Sequence, residues 1–287
     1  ARPMIDGFNI PQLPLKHAIS QFIKFLNVHL SWLFAAFVTV VQGIDDVIRL
    51  TLKGIPPLAL IGFVAAFLIL RAQLAAGLLV CLGLLMIWNI GLWPASLDTI
   101  SLLVLATVPA LVLGLPVGIL IAEFRWSRNL LVPILDLMQT VPAFVYLIPS
   151  VLFFGVGAVP GVVATIIFAL PPFARAVALG LDEIPAHFVE LGRSVGLSKA
   201  RLLLKIKLPL AMPYMLTGIS QTVMMSLSMV VIASLIGAPG VGTRVVESLS
   251  QMDFAAGIEA GISIVVLAIT IERVLDAAIG GRWIWRR

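Results

Sequence analysis

Residues 182–209 read DEIPAHFVELGRSVGLSKARLLLKIKLP, the longest polar insertion in a chain otherwise built from apolar runs. Asp182, Glu183 and Pro185 suit a helix start, where carboxylates complement the dipole and proline loses no needed hydrogen bond. Phe188, Val189, Leu191 and Val195 then alternate with polar residues at helical spacing. Gly196-Leu197-Ser198 interrupts that pattern, and Ser198 is placed to cap a following helix. The stretch predicts a short amphipathic helix, a turn, and a basic helix running back into apolar sequence at Pro209. Such an element either holds membrane topology as a charged loop or lays its apolar face into a groove on a partner protein.

Around it, composition sets the class. Of 287 residues, 61% are hydrophobic and 11% charged, against about 45–50% and about 25% in soluble domains. With a mean hydropathy of +1.12, this excludes a soluble enzyme, a disulfide-stapled secreted domain and a disordered tail protein. The single Cys81 rules out a disulfide within the chain and a thiolate metal site. The net charge of +5 is explained by basic loops beside a bilayer rather than by nucleic acid.

Spanning helices need about 20 mostly apolar residues. Seven candidates are 57–70, 74–93, 100–122, 132–154, 161–181, 210–236 and 257–279. Pro109, Pro116, Pro142, Pro149, Pro171 and Pro172 lie inside them and favour kinks. An eighth uncharged stretch, 25–44, contains Asn27, His29, Ser31 and Gln42. It either spans or lies in the interface as an amphipathic helix continuing past Asp45 and Arg49. Seven spans place thirteen of the nineteen Lys and Arg residues on the side of the 182–209 insertion, among them Arg71, Arg125, Arg128 and Arg273. The basic-inside bias makes that side, with the insertion and the C-terminus, cytoplasmic.

The spacing within the insertion is specific. Glu190-Leu191-Gly192, three residues, Gly196, nine residues, then Ile206-Lys207-Leu208-Pro209 resembles the signature loop of binding-protein-dependent ABC importer permeases, Glu-Ala-Ala, three residues, Gly, nine residues, Ile-x-Leu-Pro. Leu191 and Gly192 stand where that signature has alanines. Residues 136–146 (DLMQTVPAFVY), 159–162 (VPGV), 167–172 (IFALPP), 208–213 (LPLAMP), 227–233 (LSMVVIA) and 236–242 (IGAPGVG), with Gln221-Thr222, resemble one subgroup, the glycine betaine/proline/choline osmoprotectant importers. The likeness covers about residues 55–280.

The resemblance implies an all-α, polytopic helical bundle of the type I importer-permease kind, in a bacterial inner membrane. It divides into an N-terminal tail and amphipathic helix (1–55), a peripheral hairpin (56–95), a core permease domain (96–281) with a coupling helix at about 183–208, and a basic cytoplasmic C-terminus (282–287). It also implies a homodimer, two cytoplasmic ATP-binding subunits and an extracytoplasmic binding protein that delivers choline, glycine betaine or proline. The chain holds no G-x-x-x-x-G-K-[ST] loop, so ATP and magnesium are expected on the partner ATPase and no cofactor on this chain. Contact with that ATPase is expected from Glu190, Leu191, Gly192, Gly196, Ile206, Leu208 and Pro209, with Phe188, Val189 and Leu197 as further apolar anchors. Arg193, Lys199, Arg201, Lys205 and Lys207 would pair with acidic ATPase groups or lipid phosphates.

Candidates for the translocation path are Gln139, Thr140, Tyr146, Gln221, Thr222, Ser226 and Ser228. Hydroxyls in membrane helices also bond their own backbone, so packing is the competing role for each. Asp136 and Arg175 lie near span ends, where anchoring and function are equally open. His17, His29 and His187 are scattered, and neither a catalytic constellation nor a metal site is expected. Two other readings of a polytopic chain fit less well. An ion-driven transporter would need buried ionisable groups, and a permease for another small solute, such as an amino acid, would share the loop but not the subgroup motifs.

Overall fold

The computed structural model describes residues 15–71 and 73–283. The tail 1–14 and the end of the basic C-terminus, 284–287, lie outside the described residues. Among the described residues every regular element is a helix. In chain order they are α1 (Leu15–Gly54), α2 (Pro57–Leu70), α3 (Leu74–Asn89), α4 (Trp93–Glu123), α5 (Arg125–Thr140), α6 (Leu147–Phe154), α7 (Ala158–Asp182), α8 (Ala186–Ser194), α9 (Lys199–Leu202), α10 (Leu208–Ala233), α11 (Val241–Gln251) and α12 (Phe254–Trp283).

The centre of the bundle is α7, which packs along both α4 and α10. Lipid supplies no hydrophobic drive between apolar helices, so close backbone approach through small residues has to supply the contact. That is what the three helices show. A Cβ on Gly118 of α4 would lie 2.5 Å from the Ala174 carbonyl oxygen and 2.6 Å from Val177 Cβ. One on Gly218 of α10 would meet Ala176 Cβ at 2.5 Å, and one on Gly180 of α7 would meet Tyr214 Cβ at 2.8 Å. Ala174, Val177, Ala106, Ala211 and Met229 are fully buried in this region.

The expected count of seven spans is not confirmed among the described residues. By length and composition four helices cross alone, α4, α7, the stretch Lys199–Ile236 and α12, or six segments if each of two bent pairs counts once. The expected span 132–154 is one of those pairs, with its halves at 107°. Its break has a local cause: Pro142 forces the residue before it out of the helical region, and Val141 sits at φ −71°, ψ 129°. Pro149, three residues into α6, breaks nothing because the first turn needs no N–H there. The other pair is α1 with α2, bent by 89° at Pro56-Pro57. Alone, the 14 residues of α2 reach only about 21 Å, short of a bilayer core of about 30 Å. The 16 residues of α3 reach about 24 Å. The span expected from residue 100 starts earlier, at Trp93, where Pro94 occupies the first turn.

The stretch 25–44 belongs to a single helix, α1, of 40 residues, about 60 Å long. Phe34 meets the rings of Phe153 and Phe154 at 5.1 and 5.5 Å, and Phe37 meets Phe154 at 5.3 Å, which fixes α1 on α6. Its end is tied to α4 by charge. Buried Asp45 pairs with Arg49 at 2.7 Å and accepts a hydrogen bond from the Ser101 hydroxyl at 2.7 Å, while Lys53 pairs with Asp98 at 2.8 Å. Trp32, Val40, Val47 and Leu50 point away from the bundle and are exposed. The hairpin of α2 and α3 packs against α12.

Gly118→Leu places atoms inside the backbone of α7, which cannot yield, and overpacking of this kind costs about 1–3 kcal/mol. The detergent-solubilised chain should unfold about 2–4 °C lower for each kcal/mol lost. Gly62→Ala, with nothing within 4 Å of its Cβ, should leave the midpoint unchanged or higher. Equal thermal midpoints for Gly118→Leu and the unaltered chain would refute the packing assignment.

Candidate functional site

The insertion after α7 folds as a helical elbow. Pro185, at φ −59° and ψ 135°, sets the entry to α8, and the helix ends at Gly196, at φ +74°. The Gly196 N–H donates to Arg193 O at 3.0 Å and the Leu197 N–H to Gly192 O at 3.0 Å. These are the two bonds of a Schellman ending, which needs a left-handed residue where glycine sits. Ser198 then caps α9, its hydroxyl oxygen accepting from the Arg201 N–H at 3.4 Å. The return to the bundle is not one regular helix. Leu203–Lys207 is a π turn, closed by the Leu208 N–H on Leu203 O, immediately before Pro209. Wide turns of this type accompany proline and mark places where a helix can change register.

Burial divides the elbow into two faces. Gly192 is buried beneath Leu202 and Ile206, whose methyl ends lie where its Cβ would be. Phe188, Leu191 and Val195, spaced to share one side of α8, are exposed, and so is Glu190. Val189 and Leu197, expected as outward anchors, are half-buried against the chain itself. Pro209 and Leu208 are half-buried at the head of α10, and Ile206 faces inward over Gly192.

Ion pairs connect the elbow's base to the bundle. Lys207 of the π turn reaches Glu123 at the end of α4 at 2.5 Å. Arg128 of α5 holds both carboxylate oxygens of Asp182, the last residue of α7, at 2.6 and 2.8 Å. Exposed pairs of this sort contribute about 0–1 kcal/mol each. Their value is positional: they join the elbow's two ends to α4 and α5.

On the flank of the bundle, α5, α7 and α10 enclose an open cleft of about 860 Å³. Gln139, Pro172, Arg175, Tyr214, Gln221 and Met224 are among its walls. Arg175 is the charged group there, and it donates from Nη2 to Asp136 Oδ1 at 2.6 Å.

Of the seven path candidates, the structure brings Gln139 and Gln221 together at this cleft. Thr140 bonds back to Leu137 O at 3.1 Å at the end of α5. Tyr146 donates to Met138 O at 2.8 Å, buttressing the break between α5 and α6. Thr222 and Ser226 are fully buried on the inner side of α10, and Ser228 bonds Met224 O at 3.1 Å. Arg175, Tyr214, Thr217 and the two methionines Met224 and Met225 were not among the path candidates. Arg175 carried a usable signal, a lone cation in an otherwise uncharged run at 161–181.

Comparison with known proteins agrees with this architecture. The family described as "Binding-protein-dependent transport system inner membrane component" matches residues 114–280. The glycine betaine transport system permease protein OpuAB of Bacillus subtilis is 38% identical over 92% of this chain and 94% of its own length. The glycine betaine/carnitine transport permease protein GbuB of Listeria monocytogenes is 40% identical over 94% of this chain and 96% of its own. ProW of Escherichia coli, a glycine betaine/proline betaine transport system permease protein, is 38% identical over 96% of this chain and 79% of its own. In fold, the chain is similar to a subunit of the MetNI methionine ABC transporter in an inward-facing crystal form, with a TM-score of 0.61 at 20% identity over 66% of this chain and 95% of that one. The chain therefore belongs to the inner-membrane components of binding-protein-dependent transport systems and is the permease subunit of an ABC importer.

Proposed function

We propose that this permease carries glycine betaine or a closely related methylated zwitterion, works as a homodimer, and is moved by two cytoplasmic ATPase subunits while an extracytoplasmic binding protein supplies the solute. Magnesium and ATP belong on the ATPase, and this chain catalyses no reaction itself. The observation that carries the mechanical part is the exposed apolar stripe of Phe188, Leu191 and Val195 on a helix held rigid by a glycine-dependent ending. A stripe at that spacing suits a groove on a partner. The solute reading rests on the likeness to OpuAB, GbuB and ProW.

In this reading the elbow and the C-terminus face the cytoplasm, as the distribution of basic residues favours. Glu190 supplies a polar contact at the edge of the stripe, and Gly192 keeps α8 seated on Leu202 and Ile206. The core 96–281 does the transporting, and the hairpin at 56–95 is peripheral to it. Closure of the ATPase pair pushes on α8. The π turn at Leu203–Lys207 and the pairs Lys207–Glu123 and Arg128–Asp182 pass that displacement to α10, α4 and α5. Two packings of the bundle are then biased by nucleotide state.

Gly196→Val puts a β-branched residue at a left-handed φ, costing about 1–3 kcal/mol locally. In proteoliposomes with its partner proteins it should insert normally yet lose at least tenfold (about 1.4 kcal/mol) in ATP-driven glycine betaine uptake; normal uptake would contradict the coupling role. Gly192→Ala asks only flexible methyl ends to shift and should transport within about twofold of the unaltered chain. For the solute, excess unlabelled glycine betaine should compete with labelled glycine betaine uptake and an amino acid such as methionine should not. The reverse order would move the assignment to the amino-acid importers.

A further inference from the structure

Arg175 sits on α7 seven residues before the helix ends at Asp182, about 10 Å into the bundle. A charge at that depth is costly unless it faces a cavity or a partner, and Arg175 has both. It lines the open cleft, and its Nη2 donates to Asp136 Oδ1 at 2.6 Å from the neighbouring α5. The pair is accessible: the two side chains are 40% and 58% exposed. The guanidinium meets Asp136 through Nη2 alone, so the pair is not a two-pronged one. An arginine fork presents several donors in one plane.

We propose that the Arg175–Asp136 pair is a transfer station for both charges of a zwitterionic solute on its way through the cleft. The proposal rests on the betaine-importer reading above. The solute's carboxylate takes the place of Asp136 on the Arg175 guanidinium, and its ammonium lies against the released Asp136 carboxylate. The exchange leaves neither protein charge without an opposite charge beside it, so a molecule with both charges crosses while the charge balance of the cleft is kept. A simple anion or cation satisfies one member and strands the other. Because Asp136 competes for Arg175 at all times, the hold on the solute is weak, as a passage requires.

The remaining walls fit the rest of such a molecule. Tyr214 is an aromatic wall residue, of the type that attracts an alkylated ammonium. Met224 and Met225 supply adaptable apolar surface. Gln139, three residues after Asp136 on α5, and Gln221 supply uncharged hydrogen-bonding groups on either side.

The test uses the complete complex in proteoliposomes, with its ATPase and binding protein, and labelled glycine betaine as probe. The paired neutral variant Asp136→Asn with Arg175→Gln removes both charges without leaving one unpaired. It is expected to assemble and to keep ATP hydrolysis, stimulated by the loaded binding protein, within twofold, while uptake falls at least tenfold. Uptake within twofold of the unaltered complex would mean that the pair only holds α5 to α7, and would overturn the station. Arg175→Lys preserves the charge and loses the fork. It is expected to cut uptake at least threefold with assembly unchanged, and unaltered uptake overturns the station even if the paired variant does not assemble. If the unaltered complex imports no glycine betaine, the solute reading falls and the station falls with it. Import by the unaltered complex alongside a fully active paired variant removes the station alone.

Discussion

The close approach of α4, α7 and α10 is the constraint on which the rest of this molecule depends. In a bilayer these helices gain little by hiding apolar surface from a medium that is itself apolar, so contact must come from backbones brought near through small residues. Gly118 and Gly218 bring the partner helices so close to α7 that even a methyl group has no room. The three helices therefore transmit displacement well, because close-packed interfaces are bistable rather than compliant. The elbow attaches at one end of that trio: it leaves α7 at Asp182 and rejoins α10 at Leu208, with ion pairs to α4 and α5 bracing both ends. A push on the elbow thus acts on the two helices that carry opposite walls of the cleft.

The sequence was most legible where backbone chemistry is local. Gly196 could be placed at a turn because a helix that stops in a polar stretch needs a left-handed residue, and glycine there is the cheapest one. The apolar runs at 161–181 and 210–236 located α7 and α10 to within a few residues, because hydropathy averages well over a straight helix. Pro142 marked a kink within 132–154, but its size, 107°, was not legible, since the residues on both sides are apolar and a hydropathy window sees no angle. Hydropathy also missed the start of α1 at Leu15, well before the uncharged stretch 25–44.

The cleft was harder to read for a different reason. Its charged pair joins residues 39 positions apart, and distance along the chain to a span end says nothing about which cavity a side chain enters. The hydroxyl-bearing candidates lie away from the cleft: Thr222 and Ser226 are enclosed, and Thr140 and Ser228 bond their own helices. Gln139 and Gln221, whose side chains have no such local partner, both line the cleft. The outward face of α8 shows the same limit. Helical spacing grouped Phe188, Val189, Leu191 and Val195, but only the fold of Leu202 and Ile206 over Gly192 decides that Val189 turns inward and the other three point away from the bundle.

The most direct measurement is the reactivity of one cysteine placed on that stripe. With Cys81 replaced by serine and Leu191 by cysteine, a membrane-impermeant maleimide should label the chain in inside-out vesicles lacking the ATPase. It should fail to label right-side-out vesicles, and it should be blocked once the ATPase subunits are bound. Labelling from the outer face, or equal labelling with and without the ATPase, would contradict the claim that force enters this permease through α8.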